Sequence, residues 1–459
     1  NGKPHTRLTT QEALAIEPGL KPKMVNGAVT MDEWGIDPFR LCTANALSAA
    51  EAGATIRNHT RVTGFLFEGK RVCGVKVQDF RTGAHEEIRA QVVFNAGGPW
   101  VLKILEGTGA TAKMRPGKGV HVILDRRVVN VAVMCSAVDG RSIFIMPHDN
   151  STIIGTTDDD FYGDPDSLTV SKDEVEYLIQ GIERVLPQVR SARVVRVMAG
   201  VRPTLHKWGP NEDELSRDHK VYDHGAQDGV EGLFSMVGGK LAAYRIMSED
   251  ATDIIGEALG RKVACTTHVK PLPGGEKQLD LPKLAEESGL SEYALARIHF
   301  RHGARTQDIA NLCKERPGLQ RIVCACEPVT AAELTYAVRS EWAAKLSDLR
   351  RRTRLGTGPC QGCRCTLEAG CVLAEELGHS GEGQLQETYD FLRNRWKGKV
   401  PILEGEQVAQ EELLQQTHLR VLGMHHFVGD DGPFEGWRDL AKAAREPAPV
   451  RPRKEVASE

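Results

Sequence analysis

Six of the eleven cysteines lie within one stretch of under fifty residues. A Cys-x-Cys pair is followed, after thirty-three residues, by a glycine-rich segment in which four residues separate the next two candidate ligands. Four thiolates on two loops can hold a [2Fe-2S] cluster and accept hydrogen bonds from backbone N–H groups. Structural zinc, the alternative, usually has two to four residues within each pair. The predicted ligands are Cys324, Cys326, Cys360 and Cys365, with Cys363 and Cys371 as accessory thiols.

The other five cysteines stand singly in apolar or mixed surroundings and are predicted to be ordinary core or surface residues. The clustering of the first six favours a cluster-binding module in a reducing compartment over a disulfide scaffold. The five single cysteines are Cys42, Cys73, Cys135, Cys265 and Cys313.

Two glycine pairs follow short apolar runs. Gly97 and Gly98 come after the run at 92–94, and Gly238 and Gly239 come after the run at 234–237. At such turns, glycine lets backbone N–H groups and a helix N-terminus approach a phosphate or the edge of a ring. The alternative is a tight turn or close packing with no ligand.

The elements that position these residues change along the chain. Asp37 and Pro38 are typical of a helix start and Gly53 of its end, and Gly69 and Gly83 mark hairpin turns. Alternation of strands with helices then indicates an α/β or α+β enzyme domain, and the chain beyond a Pro- and Gly-rich linker is mainly helical. Later strands are predicted at 121–124, 142–146, 152–156, 194–197 and 234–237, and later helices at 172–186 and 241–259.

Charge and length exclude some classes of protein. The chain has 459 residues, with 59 Lys plus Arg and 62 Asp plus Glu, so nucleic-acid binding as the main function is disfavoured. It has no run of about 18 apolar residues, so no transmembrane segment is predicted. The basic run at 350–354 is predicted as a solvated helix face, with an acidic partner or an anionic cluster as the alternative.

The thiol-bearing segments carry a resemblance. The stretches VCACEPVT and GTGPCQGCRC resemble the domain shared with bacterioferritin-associated ferredoxin, which implies a [2Fe-2S] module. The stand-alone ferredoxin closes with a spacing that Cys360 and Cys363 match. Versions fused to flavoenzymes have the spacing of Cys360 and Cys365, and we favour this pair.

The upstream segments VVFNAGGPW, STIIGTTDDDF, AGVRPTL and MVGGKLAAYRIMSEDA resemble FAD-dependent glycerol-3-phosphate dehydrogenases. The two halves in this order look like the large FAD subunits of anaerobic glycerol-3-phosphate dehydrogenases. The resemblance implies an α/β (α+β) FAD-dependent oxidoreductase fold followed by a small, mainly helical [2Fe-2S]-binding domain. The predicted divisions are an FAD and substrate domain at 1–265, a linker at 266–278, a helical connector at 279–320, the cluster domain at 321–375 and a helical extension with a tail at 376–459.

One departure from that family concerns the beginning of the chain. The family opens with a glycine-rich dinucleotide-binding turn, but no G-x-G-x-x-G occurs before Asp37. We therefore expect the fold to be N-terminally incomplete, without the first segment of its FAD domain.

The resemblance also assigns roles to single residues. His121 matches a Gly-x-His strand and is the candidate base, with a hydrogen-bonded strand histidine as the alternative. Arg202, in a predicted Gly-Val-Arg-Pro turn, is the candidate clamp for a phosphate or alkoxide, with a local carboxylate pair as the alternative. Lys240 and Thr157 are predicted to contact substrate. The predicted FAD-binding residues are Val62, Gly97, Gly98, Gly238, Gly239 and Lys240.

The implied activity is oxidation of sn-glycerol 3-phosphate to dihydroxyacetone phosphate. Electrons are expected to pass from FAD through the [2Fe-2S] cluster to partner subunits and quinone, at the inner face of the cell membrane, where the protein would be peripherally attached from the cytoplasm. Two alternatives remain open: an FAD-dependent dehydrogenase of amino acids or 2-hydroxy acids, and a non-catalytic electron-transfer subunit.

Overall fold

The computed structural model of the protein describes residues 5–32, 35–209, 215–216, 218–430, 432–433 and 436–445. The chain begins with β1 (Arg7–Leu8), α1 (Thr10–Ile16), β2 (Ala28–Val29) and α2 (Pro38–Glu51). Asp37 accepts hydrogen bonds from the N–H groups of Phe39 and Arg40, at 3.0 and 3.2 Å, which confirms the predicted start of α2.

A three-stranded antiparallel sheet follows, formed by β3 (Thr60–Glu68), β4 (Arg71–Asp79) and β5 (His85–Arg89). Gly69 and Gly83 lie in its turns with φ of +63° and +74°, values that glycine adopts without strain. The two predicted hairpins are confirmed.

A larger sheet is built around β7 (Met114–Leu124). One edge of β7 pairs with β10 (Ser151–Gly155) and β11 (Asp159–Asp160), and its other edge pairs with β12 (Val194–Leu205). The sheet continues from β10 to β9 (Ser142–His148) and β8 (Val133–Ser136), and α4 (Lys172–Glu183) packs against it.

The predicted turn at Arg202 is wrong. Arg202 lies within β12, opposite Gly117 of β7, and the pairing continues to Leu205. Pro203 faces Pro116, so the two missing N–H donors fall at one position of the ladder and do not end it.

A third sheet has the order β13 (His219–Asp223), β14 (Leu233–Gly238) and β6 (Val93–Asn95). Its strands β14 and β6 are parallel, so the turns after both lie at the same edge. The helices of this part are α3 (Val101–Leu105), α5 (His224–Asp228) and α6 (Tyr244–Ala258).

The rest of the described chain is mainly helical, as predicted, and the predicted linker at 266–278 contains no helix or strand. One hydrophobic core joins residues from Leu284 to Phe391, so the predicted connector and cluster domain pack together. The predicted tail from 446 lies outside the described residues. The elements are α7 (Leu281–Ser288), α8 (Glu292–His302), α9 (Thr306–Glu315), β15 (Ile322–Cys324), β16 (Val329–Thr330), α10 (Ala331–Ser340), α11 (Leu346–Thr353), α12 (Thr366–Leu377), α13 (Gly381–Lys397), α14 (Glu406–Val421) and α15 (Trp437–Arg445).

The basic run at the end of α11 is not a solvated face. Arg350 and Arg351 hold their guanidinium carbons 5.5 and 5.9 Å from the centroid of the Phe39 ring in α2. Helix α11 packs on α2, so the N-terminal part of the chain covers this side of the helix. In the described part of the chain, no helix has the length and apolar character needed to cross a bilayer.

Candidate active site and thiol site

The first candidate site residues lie at the edge where β6 and β14 both end. Asn95 holds the turn after β6, because its side chain donates to Val101 O and accepts from Gly97 N, each at 3.1 Å. A groove of about 690 Å³ next to this turn is lined by Val62 and Gly97 together with Trp100. Two of the predicted cofactor-binding residues are therefore brought together, and Gly98 follows directly.

The turn after β14 requires its glycines. Gly238 and Gly239 have φ of +88° and +89°. A Cβ on Gly238 would lie 2.8 Å from Leu205 Cγ of β12, and a Cβ on Gly239 would lie 2.3 Å from Met247 Cε. Lys240 is exposed at the end of this turn, and within the described residues its ammonium forms no ion pair.

Arg202 is held by the segment after β10. Its Nη1 lies 2.7 Å from Asp158 Oδ1, and its Nη2 lies 3.1 Å from Thr156 Oγ1. A Cβ on Gly119 would lie 2.6 Å from Nη2, so the guanidinium occupies the space that a side chain at 119 would take. The alternative of a local carboxylate partner is thus observed, and that carboxylate fixes the direction of the guanidinium.

His121 lies two residues along β7 from Gly119, on the same face of the strand. Two residues span about 7 Å along a strand, so the imidazole and the Arg202 guanidinium are neighbours. Burial and the positive charge of Arg202 lower the pKa of His121 to about 4. The ring lies against Gly155, where a Cβ would be 2.4 Å from its Cδ2, and its centroid is 5.9 Å from that of Phe144.

Thr157 and Thr156 divide the work expected of Thr157 alone. Thr157 is 2% exposed, and its hydroxyl accepts a hydrogen bond from Val120 N at 3.0 Å. Its side chain therefore supports β7, whereas Thr156 is the threonine whose hydroxyl meets Arg202. Both follow a strand with similar sequence, so alternation along the chain gives no signal that separates them.

The four predicted thiol ligands form two pairs. Cys326 Sγ lies 3.8 Å from Cys360 Sγ, and the thiols of Cys324 and Cys365 share a hydrogen bond. Cys363 belongs to neither pair; its backbone carbonyl lies 3.0 Å from His418 Nε2. Gly358 provides space for this arrangement, since a Cβ there would lie 2.5 Å from Cys326 Cβ.

The electrostatics of the thiol site differ between the pairs. The hydrogen bond from Cys365 lowers the pKa of Cys324, aided by the backbone N–H groups of Gly356, Glu327 and Cys326. Burial and the neighbouring Cys360 raise the pKa of Cys326. Among the described residues, no three His, Cys, Asp or Glu side chains converge on a single ion position.

A contact that the sequence did not reveal joins the two sites. The turn between β9 and β10 docks on the thiol loop: Asn150 Nδ2 donates to Cys326 O at 3.2 Å, across 176 residues of chain. Asp149 pairs with Arg354 at 2.8 Å and with Arg297 at 3.1 Å. An Asp-Asn turn is visible in the sequence, but its partners are too distant in the chain for any local pattern to identify.

Family models match both halves of the chain. Residues 1–245 match the FAD dependent oxidoreductase model, and residues 265–384 match the model of the C-terminal domain of alpha-glycerophosphate oxidase. The chain belongs to the FAD-dependent oxidoreductase family. All four paired cysteines of this oxidoreductase lie within the second match.

Relatives narrow the position of the oxidoreductase within its family. It is 35% identical to a named subunit of the anaerobic glycerol-3-phosphate dehydrogenase of Escherichia coli K12, over 90% of this chain and 76% of the relative. It is also 35% identical to the corresponding subunit of the anaerobic enzyme of Haloferax volcanii, over 96% and 75% of the two chains. The predicted family resemblance is confirmed, and the oxidoreductase belongs with the glycerol-3-phosphate dehydrogenases.

A solved structure shows the same fold. The FAD complex of the glycerol-3-phosphate dehydrogenase from Bacillus halodurans has a TM-score of 0.71 and 25% sequence identity, covering 87% of this chain and 80% of that one. The predicted FAD-dependent oxidoreductase fold with a helical C-terminal part is confirmed.

Proposed function

We propose that the protein oxidises sn-glycerol 3-phosphate to dihydroxyacetone phosphate with FAD as acceptor. Electrons then leave through a [2Fe-2S] cluster to partner subunits and quinone. The observation that carries the proposal is the placement of His121 and Arg202 on one face of β7, in a chain whose relatives are named for glycerol 3-phosphate.

His121 is the proposed base. Its lowered pKa leaves the imidazole neutral near pH 7, so a ring nitrogen is available to accept the proton of the substrate hydroxyl. Gly155 gives the ring its position because it has no side chain to displace it. FAD, when bound, supplies the two-electron acceptor for the hydride of the carbinol carbon.

Arg202 is the proposed anion clamp. Asp158 and Thr156 hold the guanidinium in one orientation, which lowers the entropy that substrate binding must overcome. A planar guanidinium donates two parallel hydrogen bonds to a phosphate or to a developing alkoxide. Lys240 would add a second cation at the end of β14, and Thr157 would act through its support of β7.

The proposed FAD site is the shared edge of β6 and β14. The groove beside Val62 and Gly97 is large enough to take part of a dinucleotide, since ligand pockets have volumes of about 300–1,000 Å³. Gly98, Gly238 and Gly239 leave backbone N–H groups open to a ring edge or a pyrophosphate.

The thiol geometry fits the proposed cluster better than a single ion. A tetrahedral metal with metal–sulfur distances of about 2.3 Å holds two thiolates about 3.8 Å apart, the separation of Cys326 Sγ and Cys360 Sγ. Two iron atoms need two such pairs, and Cys324 with Cys365 supplies the second. A [2Fe-2S] cluster, when bound, supplies a carrier of single electrons.

The partners are proposed from the relatives. The E. coli and H. volcanii proteins are named as subunits, which supports assembly of this chain with further subunits that pass electrons to quinone. We propose that such a partner attaches the protein peripherally at the cytoplasmic face of the cell membrane.

A substrate panel tests the proposed activity. With FAD and an artificial electron acceptor, we expect turnover of glycerol 3-phosphate and not of proline, hydroxyproline or 2-hydroxyglutarate. Arg202→Ala should lower kcat/KM about 10- to 100-fold, as expected for loss of charge-assisted hydrogen bonds. Arg193→Ala, an exposed position at the start of the same strand, is the matched control. Preference for an amino acid or a 2-hydroxy acid would reject the proposed substrate.

A further inference from the structure

A buried arginine holds the thiol loop from below. Arg395 of α13 is 4% exposed. It donates to Gly356 O at 2.7 Å and Gln361 O at 3.2 Å, and also to the side-chain oxygen of Gln361. These acceptors lie in the loop that carries Cys360 and Cys365. All three are neutral groups, so the hydrogen bonds position the loop and leave the positive charge uncompensated.

Three more guanidinium groups act on the same region. Arg196 of β12 lies against Gly398, where a Cβ would be 3.2 Å from its Cζ, and its Nη1 is buried without a hydrogen-bond partner. Burial and the charges of Arg196 and Arg350 lower the pKa of Arg395, whereas Cys363 and Cys365 favour its charged form. Burial and Arg351 lower the pKa of Arg196 in the same way. We call Arg196, Arg350, Arg351 and Arg395 the arginine group.

Like charges that are buried together are costly unless an anion lies among them. Four thiolates around two irons and two sulfides carry net negative charge, and the thiol loop is the part of the chain that Arg395 contacts. Building on the proposed function, we propose that the arginine group is the counter-charge of the [2Fe-2S] cluster and raises its reduction potential. Reduction adds one electron, without making or breaking a bond, so positive charge nearby favours the reduced form.

The inference makes opposite demands on the protein with and without the cluster. In the loaded protein, loss of one arginine should lower the equilibrium constant for one-electron reduction about tenfold, the effect of a unit charge about 10 Å away at intermediate dielectric. In the protein stripped of iron, loss of the charge of Arg196 should raise Tm, because the repulsion within the group falls.

The experiment is a dithionite titration of the full-length chain, with mediator dyes and the reduced cluster followed by EPR. Arg196→Gln and Arg395→Gln should both lower the midpoint potential. Arg393→Gln, whose side chain is 49% exposed on the same helix, should titrate like the unmodified protein. If Arg395→Gln fails to fold, Arg196→Gln decides, since its Nη1 makes no hydrogen bond that the variant would lose.

Two results would overturn the inference in distinguishable ways. An intact cluster with an unchanged midpoint potential in Arg196→Gln would reject the arginine group as counter-charge and leave the proposed function standing. Absence of [2Fe-2S] absorbance and EPR signal from the reconstituted, unmodified protein would reject the cluster itself. A purely structural role predicts a lower Tm in both the loaded and the stripped protein with no change in potential.

Discussion

His121 sets the pH dependence expected of the reaction. Only the neutral imidazole accepts a proton, and burial with the charge of Arg202 lowers the pKa of His121 to about 4. We therefore expect kcat/KM to show no loss from this group between pH 8 and pH 5, and to fall as the pH drops through about 4. A pH profile of the steady-state kinetics checks this.

Replacement of the same residue tests its role directly. His121→Asn should lower kcat about 10²- to 10⁴-fold, the contribution of a general base. His85→Asn, an exposed position on β5, is the control and should retain activity. A kcat within threefold of the unmodified value would mean that the proton is taken by another group.

The thiol pairs give a second test at the scale of single residues. Cys360→Ser breaks the pair with Cys326 and should remove the iron-sulfur absorbance, while glycerol 3-phosphate still reduces FAD in a single turnover. Cys371→Ser, an exposed cysteine of α12, should leave both signals intact. Retention of the iron-sulfur bands in Cys360→Ser would reassign this ligand, with Cys363 as the next candidate.

At the scale of elements, the hairpin of β9 and β10 joins the two sites. One end backs His121 through Phe144 and Gly155, and the other end docks on the thiol loop through Asp149 and Asn150. A rigid hairpin between them fixes the separation of the two sites, and that separation controls electron transfer within the chain.

Asp149→Asn tests this coupling. Loss of the ion pairs with Arg354 and Arg297 should destabilise the docked turn by about 1–3 kcal/mol and slow the reoxidation of FAD by the cluster, while its reduction by substrate keeps its rate. Stopped-flow absorbance separates the two phases. Asp139→Asn, which removes an ion pair with Arg141 in the neighbouring hairpin, is the control. Equal slowing in both variants would exclude a specific role for the docked turn.

Elements with their own local signals were predicted well. The start of α2 follows from Asp37 and Pro38, and the hairpin turns follow from Gly69 and Gly83. The turn predicted at Arg202 was wrong because a Gly-Val-Arg-Pro pattern contains no information about β7, whose pairing keeps β12 extended. The solvated face predicted for 350–354 failed similarly, since α2 covers it.

At the scale of the whole molecule, buried ion pairs connect the N-terminal and C-terminal parts. Arg40 of α2 lies 2.8 Å from Glu341, which is buried beside His302. Burial opposes the charge of Glu341, but His302 and Arg40 outweigh it and lower the pKa of Glu341 to about 2. Partnered in this way, the carboxylate contributes to the stability of the contact between the two parts.

The sign of the pH effect follows from the lowered pKa. A carboxyl group whose pKa is lower in the folded state stabilises the fold above its unfolded value of 4.5, and the contribution, about 3 kcal/mol, is lost as the pH falls toward 2. Glu341→Gln should therefore destabilise the protein at pH 7 by about 3–5 kcal/mol and flatten the acid dependence of urea unfolding. Glu382→Gln, at the start of α13, serves as a control. The same acid dependence in Glu341→Gln would assign the effect to another carboxyl group.

The sequence by itself determined the features that short segments encode: the thiol spacing, the glycine turns, the order of a mixed α/β part and a helical part, and the family. Tertiary structure alone decided which groups meet. It paired Cys326 with Cys360, set Thr156 rather than Thr157 on Arg202, and buried Arg395 under the thiol loop. The physical reason is that propensity and turn chemistry act over a few residues, whereas strand register and helix packing bring together side chains that are hundreds of residues apart.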